Sequence, residues 1–190
     1  MKKVGFALTS SYCTIDTILP ILDLLVKTGY DVIPIVSKGI ATNNTRFGKY
    51  EDIIKSIEEI TKKRVVSSIV EAEKFGPSEK LDVLVIAPAT GNTIAKLAHG
   101  ITDTTVTMAA KATLRNQTPI VIGISTNDGL GMNGENILKL YNTKNIYFIP
   151  FGQDDCKTKP NSLIAHYDLL IETMEEAIES RQVQPILQQY

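Results

Sequence analysis

Short apolar runs alternate with longer segments of helical periodicity along most of the chain. The clearest run spans 81–87, ends at Pro88 and is rich in Val, Leu and Ile. A continuous apolar run is typical of a strand that is covered on both faces of a parallel sheet. The same pattern predicts strands at 3–9, 31–37, 120–125 and 145–151, the second of them weakened by Pro34.

Helical periodicity occupies the intervals between these runs. Strands and helices that alternate in this way predict an α/β fold, a Rossmann-like (flavodoxin-like) open parallel sheet with helices on both faces. Sheets of this kind bind ligands beyond the carboxyl ends of their strands. The predicted helices are 15–27, which Pro20 bends or delays, 50–60, 93–98, 103–114, 135–141 and a long closing helix at 163–180.

The length of 190 residues predicts one domain. We place this domain at 1–181. The segment 182–190 is rich in Gln and contains Pro185. We interpret it as a C-terminal tail that is either loose or lies as an arm on a neighbouring subunit.

Net charge and residue content narrow the functional classes. The net charge of −1 argues against a nucleic-acid or membrane-surface partner. No signal peptide precedes the first strand, and no apolar run reaches the roughly 18 residues of a membrane helix. We therefore expect a cytoplasmic protein in which Cys13 and Cys156 stay unpaired. We interpret His99, at a helix end, and His166, in the final helix, as structural, and predict no metal site.

Two predicted strand–loop–helix junctions carry the residues of an anion site. The first strand is followed by Thr9, Ser10 and Ser11, and the segment 88–93 joins the third strand to a helix. Free N–H groups and partial positive charge at a helix N-terminus, with hydroxyls nearby, bind phosphate. Helix capping explains one such hydroxyl but not several. We therefore predict a phosphate-bearing cofactor between the two loops.

Further loops are candidates for ligand contact. Residues 129–134 have the sequence pattern G-x-G-x-x-G of a dinucleotide site. Their late position in the sheet and the short helix that follows them argue against that function. We interpret the segment as a Gly-rich lid over a flat ligand. In the polar loop at 150–163, Lys157 and Lys159 are candidates to meet a dicarboxylate substrate. The alternative for this loop is that Asn161 or Ser162 caps the final helix.

The sequence Pro-Ala-Thr-Gly-Asn-Thr at 88–93, with Thr-Ser-Ser after the first strand, resembles the flavoprotein family of FMN-binding cysteine decarboxylases and flavin prenyltransferases. Members of that family carry a related Pro-Ala-Ser-Ala-Asn-Thr loop. Longer segments at 87–116, 125–133 and 150–163 resemble the branch of the family that takes part in dipicolinate formation. The resemblance covers nearly the whole chain.

This resemblance implies an FMN-type Rossmann-like fold, homo-oligomers built from trimers, and a role in sporulation. The implied reaction is a two-electron oxidation that aromatises a dihydrodipicolinate precursor of the lysine pathway, which is a small cyclic dicarboxylate. The resemblance also implies a second subunit with a pyridine-nucleotide fold, through which NADP takes part.

The family's flavin site can be carried over to matching positions. In the implied site the first loop holds the phosphate, and Ser37 meets the ribityl chain or the ring edge. The loop after the third strand contacts the phosphate or the polar edge of the ring, and the loop after the fourth strand closes the site. No residue is assigned to catalysis. The implied cofactor-binding residues are Thr9, Ser10, Ser11, Ser37, Pro88, Thr90, Gly91, Asn92, Thr93, Ser125, Thr126 and Asn127.

The chain also departs from the family pattern. The decarboxylases use a histidine between the second strand and the Pro-Ala-Ser-Ala-Asn-Thr loop, and none occurs between Ser37 and Pro88. Their Pro-x-Met-Asn motif is represented only by Gly131-Met132-Asn133, and Gly91 replaces a residue with a side chain. A flavin-dependent decarboxylase or prenyltransferase is therefore the weaker alternative. A non-catalytic binding or structural subunit is the third hypothesis.

Overall fold

The computed structural model describes residues 1–189 and contains one open, mostly parallel sheet. Its five parallel strands lie in the spatial order β2-β1-β3-β4-β5. This is the flavodoxin-like order, and it confirms the predicted fold class. The strands are β1 (Lys3–Leu8), β2 (Asp31–Val36), β3 (Val83–Ala89), β4 (Ile120–Thr126) and β5 (Ile146–Phe148).

Helices lie on both faces of this sheet. Right-handed crossovers place the helix after β1 and the helices after β3 on opposite faces, because the chain moves across the sheet in opposite directions from these two strands. No helix among residues 1–189 is long and apolar enough to cross a membrane. The helices are α1 (Ile15–Lys27), α2 (Lys38–Thr42), α3 (Tyr50–Thr61), α4 (Ile69–Glu73), α5 (Gly91–Ala98), α6 (Thr105–Arg115), α7 (Gly134–Tyr141) and α8 (Leu170–Ile178).

Most predicted helices form with small shifts at their ends. Helix α1 begins at Ile15 and continues through Pro20, so the proline does not delay it. Helices α2 and α4 were not predicted, because five residues are too few to show a helical period.

Two short antiparallel strands, β6 (Phe151–Gly152) and β7 (Leu163–Ala165), extend the sheet beside β4. The prediction of one helix over 163–180 is therefore wrong at its start, since β7 and a 3-10 turn precede α8. The reason lies in β4. Strand β5 pairs only with its first half, so the backbone of Ser125 and Thr126 needs another partner, and β7 supplies it.

Strands β1 and β3 form the centre of the hydrophobic core. Every residue of β3 is buried, and the side chains of Phe6, Leu84 and Ile86 are completely enclosed. Strand β2 lies further out, where a proline is tolerated. The Pro34 carbonyl accepts a hydrogen bond from the Val66 N–H (2.8 Å), so the missing N–H of Pro34 faces away from β1.

The C-terminal segment 182–189 is tied to its own chain. The Gln182 amide donates to the Phe148 carbonyl (2.7 Å) and accepts from the Phe148 N–H (2.8 Å). The backbone of Phe151 pairs with the segment through two further hydrogen bonds (2.9 and 3.0 Å). The described residues of the segment are therefore held by contacts within the chain and are not loose, and the alternative of an arm on a neighbouring subunit stays a prediction. Tyr190 lies outside the described residues.

A single buried hydroxyl joins the ends of β1 and β3. Thr9, which is 1% exposed, donates from Oγ1 to the Pro88 carbonyl (2.6 Å) and accepts at the same oxygen from the Thr90 N–H (3.0 Å). Strand order reverses between these two strands, so the loops after them diverge and leave a crevice. Thr9 therefore ties together, at the base of the crevice, the two loops that border it.

We predict that Thr9→Val destabilises the fold by about 0.5–1.5 kcal/mol, because the substitution keeps the shape of the side chain but leaves the partly buried Thr90 N–H without its acceptor. Urea unfolding followed by circular dichroism measures this loss. Thr28→Val is the matched control, since its hydroxyl bonds the exposed C-terminal end of α1. Equal losses for both variants would contradict the role given to Thr9.

Candidate functional site

A cavity of about 400 Å³ opens at the carboxyl ends of β1, β3 and β4. Its volume and its place at the switch in strand order are typical of small-molecule sites in α/β proteins. Its floor consists of hydroxyl-bearing loops, and its rim comes from two segments elsewhere in the chain. The lining residues are Ser10, Ser11, Tyr12, Cys13, Arg46, Phe47, Thr90, Gly91, Ser125, Thr126, Asn127, Asp154, Lys159, Ser162, Leu163 and Ile164.

Hydrogen bonds between hydroxyl groups connect the loop after β1 to the ends of the neighbouring strands. Ser10 Oγ lies 3.2 Å from Ser37 Oγ at the end of β2. Ser11 Oγ lies 2.7 Å from Ser125 Oγ at the end of β4, and Thr14 Oγ1 is within 3.1 Å of both. Each hydroxyl has one proton and two lone pairs, so Ser10, with this one contact, keeps capacity for a ligand. Ser11 has a third contact at Cys13 Sγ (3.8 Å), which is the weakest and the one that a ligand would replace.

Gly39, in α2, allows this part of the chain to approach the first loop. A Cβ atom at this position would overlap with Ser10 Oγ. The Tyr12 hydroxyl donates to the Gly39 carbonyl (2.7 Å) across the same contact. The first loop is therefore packed on both sides.

The loop after β3 ends at the N-terminus of α5. Thr90 is the N-cap, and its Oγ1 accepts from the Thr93 N–H (3.4 Å) and lies 3.1 Å from Thr93 Oγ1. The first N–H groups of a helix have no intrahelical acceptor and carry partial positive charge. Because Thr90 and Gly91 line the cavity, this helix end borders it as well.

A polar network from the loop after β4 lies directly against Gly91. Asp128 accepts from Thr126 Oγ1 (2.5 Å) and from Asn133 Nδ2 (2.8 Å). A Cβ atom at position 91 would lie within 2.6–2.7 Å of atoms of all three side chains. This contact explains why the chain has glycine where the family motif has a side chain.

The Gly-rich segment 129–134 does not line the cavity. Gly129 packs under Leu163, and the Leu130 N–H donates to the Asn161 carbonyl (3.0 Å). The segment forms turns that lead into α7. The expectation of a lid is therefore wrong for the described structure.

The rim of the cavity was largely missed by the sequence analysis. Arg46 and Phe47 come from a turn between α2 and α3, and Asp154 and Lys159 come from the loop before β7. Lys159 was a candidate, and its Nζ lies 3.2 Å from Asp154 Oδ2. The only sequence signal for Arg46 was an arginine beside an aromatic residue in an otherwise polar turn.

Asp154 is held in its ionised form. Partial burial raises the pKa of Asp154, but hydrogen bonds from Ser162 and Lys159 and the charge of Lys159 outweigh that effect, so the pKa lies below its ordinary value. Ser162 is 4% exposed and lies just before β7. The alternative that Asn161 or Ser162 caps a helix is therefore wrong, because no helix begins there.

The predicted site residues divide into two groups. Ser10, Ser11, Thr90, Gly91, Ser125, Thr126 and Asn127 line the cavity. The others support it or lie beside it: Thr9 and Pro88 form the buried junction, Ser37 bonds Ser10, Thr93 bonds Thr90, and Asn92 is exposed on α5.

Neither histidine lines this cavity in the part of the chain described, residues 1–189. His99 is the C-cap of α5, where its Nδ1 lies 2.8 Å from the Ala95 carbonyl oxygen. His166 precedes the 3-10 turn before α8 and borders a separate cavity with Cys13. The position of His99 at a helix end agrees with its predicted structural role.

The sequence profile of the Flavoprotein family matches residues 1–176 of the chain. The chain belongs to the Flavoprotein family. This flavoprotein is 52% identical over 186 residues to the B subunit of dipicolinate synthase from Bacillus subtilis (strain 168), and the match covers 98% of this chain and 93% of the relative.

Solved structures agree with this assignment. The crystal structure of the dipicolinate synthase B subunit from Bacillus halodurans C superposes with a TM-score of 0.91 at 52% identity, covering 99% of this chain and 96% of that chain. The crystal structure of the FMN-dependent cysteine decarboxylase SpaF superposes with a TM-score of 0.68 at 20% identity, and the match covers 95% of this chain and 97% of SpaF. At that identity the second likeness concerns the fold alone.

We predict that Gly91→Ala destabilises this flavoprotein by about 1–3 kcal/mol, because the new methyl group is forced into the polar network around Asp128. Helix propensity alone would favour the alanine. Gly131→Ala is the matched control, since its Cβ would meet nothing closer than 3.4 Å. Thermal unfolding measures the change in stability of both variants. A neutral or stabilising effect of Gly91→Ala would refute the proposed packing.

We also predict that part of the stability of the fold depends on pH through Asp154, and that Asp154→Asn removes this part. Because the folded-state pKa of Asp154 is lowered, its stabilising effect is complete above the unfolded-state value of about 3.9 and disappears as the pH falls through the lower folded-state pKa. The melting temperatures of wild type and variant should therefore differ at neutral pH and converge in acid. A difference that stays constant across this range would contradict the prediction.

Proposed function

We propose that this chain is the flavin-binding B subunit of a dipicolinate synthase. The observation that carries the proposal is the hydroxyl-lined cavity at the switch point between β1 and β3, in a chain 52% identical to a relative of that name. The relative's name also supports a partner, because it describes one subunit of a larger enzyme.

The residues around the cavity fit a phosphate-bearing flavin. Ser10 and Ser11 offer hydroxyls, and the start of α5 at Gly91 offers an N–H group with partial positive charge. Glycine at positions 39 and 91 lets the loops around the cavity pack closely against one another. The family and its FMN-dependent members support FMN as the flavin.

In the proposed reaction a dihydrodipicolinate precursor of the lysine pathway loses two electrons and two protons and becomes dipicolinate during sporulation. FMN, when bound, supplies an acceptor for a two-electron oxidation. The residues of this chain bind the flavin and the substrate and orient them toward each other. The Ser10–Ser11 loop and α5 hold the phosphate end, and Phe47 and Leu163 give part of the cavity an apolar lining.

The proposed assembly contains a second type of chain. We propose that the A subunit of dipicolinate synthase carries the pyridine-nucleotide fold and that NADP takes part through it. Copies of the present chain assemble into trimer-based homo-oligomers, as the family resemblance implies. A decarboxylase or prenyltransferase is less well supported, because no histidine occurs in the segment where the decarboxylases have theirs.

We predict that the purified full-length chain binds FMN and shows the two absorption bands of a flavin. Ser11→Ala should weaken FMN binding by roughly 10-fold or more, because a hydrogen bond to a charged phosphate contributes about 1.5–3 kcal/mol. Ser78→Ala is the matched control, since its hydroxyl lies on the surface beside Lys74. Fluorescence titration gives the dissociation constants, and circular dichroism checks that both variants fold.

Activity is measured after addition of the A subunit and NADP, with dipicolinate as the product. Dipicolinate formation that depends on both subunits and falls in Ser11→Ala supports the proposal. If the chain binds no FMN at high concentration and Ser11→Ala leaves the rate unchanged, the chain is instead a binding or structural subunit. Release of carbon dioxide from a peptidyl cysteine would favour a decarboxylase.

A further inference from the structure

The rim of the cavity carries all of its charged side chains. Among the lining residues these are Arg46, Lys159 and Asp154, so the rim has one positive charge in excess. The floor is lined by neutral hydroxyl groups and backbone. A cationic rim around a concave site attracts anions and raises their local concentration.

Arg46 is held in place by its own turn. Thr45 and Gly48 exchange two backbone hydrogen bonds (3.0 and 3.2 Å), and the Phe47 N–H donates to Thr45 Oγ1 (3.1 Å). The Arg46 guanidinium carbon lies 4.9 Å from the centre of the Phe47 ring, within the range of a cation–π contact. The turn therefore fixes the backbone of Arg46 beside the cavity, and the guanidinium lies against the Phe47 ring.

No carboxylate of residues 1–189 forms an ion pair with Arg46. Its planar fork of N–H donors matches the two oxygens of a carboxylate. A cation that lines a cavity and has no protein anion as a partner is suited to an anionic ligand.

Lys159 is positioned on a different segment of the same rim. Its ammonium group lies 3.2 Å from Asp154, and Asp154 is in turn bonded to the buried Ser162 before β7. This contact places Lys159 beside the loop that leads into β7. Lys157, the other candidate from the sequence, does not line the cavity.

We propose that Arg46 and Lys159 form a two-point clamp for a ring dicarboxylate, with one cation on each carboxylate and the Phe47 ring beside the ring that joins them. The proposal takes its substrate class from the proposed function and adds the residues that select it. A monocarboxylate would leave one cation of the clamp without a partner. Arg46 is thus a specificity-determining residue that the sequence analysis did not identify.

The test compares two probes on the full-length chain by titration calorimetry, with and without FMN. Pyridine-2,6-dicarboxylate should bind roughly 10- to 100-fold more tightly than pyridine-2-carboxylate, since charge-assisted hydrogen bonds differ between them. Arg46→Gln and Lys159→Gln should each bring the dicarboxylate close to the affinity of the monocarboxylate. Arg46→Lys keeps the charge but loses the fork, so its affinity should be intermediate.

Two control variants remove the same charge outside the cavity. Lys49→Gln and Lys157→Gln should leave dicarboxylate affinity within about 2-fold, because exposed charges at a distance are screened by salt. In the assembled synthase, Arg46→Gln should raise KM more than it lowers kcat.

The clamp and the flavin proposal fail separately. Equal binding of both probes to wild type, or a loss in Lys157→Gln as large as in Arg46→Gln, would overturn the clamp whether or not FMN binds. Discrimination that depends on Arg46 in a chain that binds no FMN supports the clamp and removes the flavin proposal.

Discussion

The hydroxyl of Thr9 is the contact on which the geometry of the candidate site depends. It joins the ends of β1 and β3 by bonding both Pro88 and Thr90. The loops after these strands must diverge, because the chain continues in opposite directions across the sheet. A crevice at this place is therefore a consequence of strand order, and the Thr9 junction ties its two sides together at the base.

Close packing around this junction restricts which residues the loops can contain. Gly91 lies against the Thr126–Asp128–Asn133 network, and Gly39 lies against Ser10. In both places a side chain would occupy space that a polar group of another loop already fills. Asn133, the residue that this chain shares with the Pro-x-Met-Asn motif, belongs to the network that leaves no room for a side chain at position 91.

The floor and the rim of the cavity have different structural origins. The floor is built from loops at the ends of core strands, so its hydroxyls are tied to the most buried part of the molecule. The rim comes from the turn at Arg46 and from the loop before β7, which depends on pairing with the second half of β4. This arrangement separates a rigid, neutral anchor for a cofactor from a charged entrance suited to a substrate. In the proposed function these are the flavin phosphate and the dicarboxylate.

The sequence by itself determined the α/β class, the five parallel strands and most helices. These features rest on local periodicity and on apolar runs that reflect burial on two faces. It also indicated the two loops beside the switch point, because serine and threonine after a buried strand and before a helix have a local physical meaning. Only the tertiary structure decided that Thr9 and Pro88 support the site from beneath, that Leu163 begins a strand and not a helix, and that Arg46 joins Lys159 at one rim. Each of these three features depends on residues far away in the sequence. Thr9 bonds the Thr90 N–H, Leu163 pairs with the second half of β4, and Arg46 lines the same cavity as Lys159. Such contacts leave no periodic trace in the residues on either side.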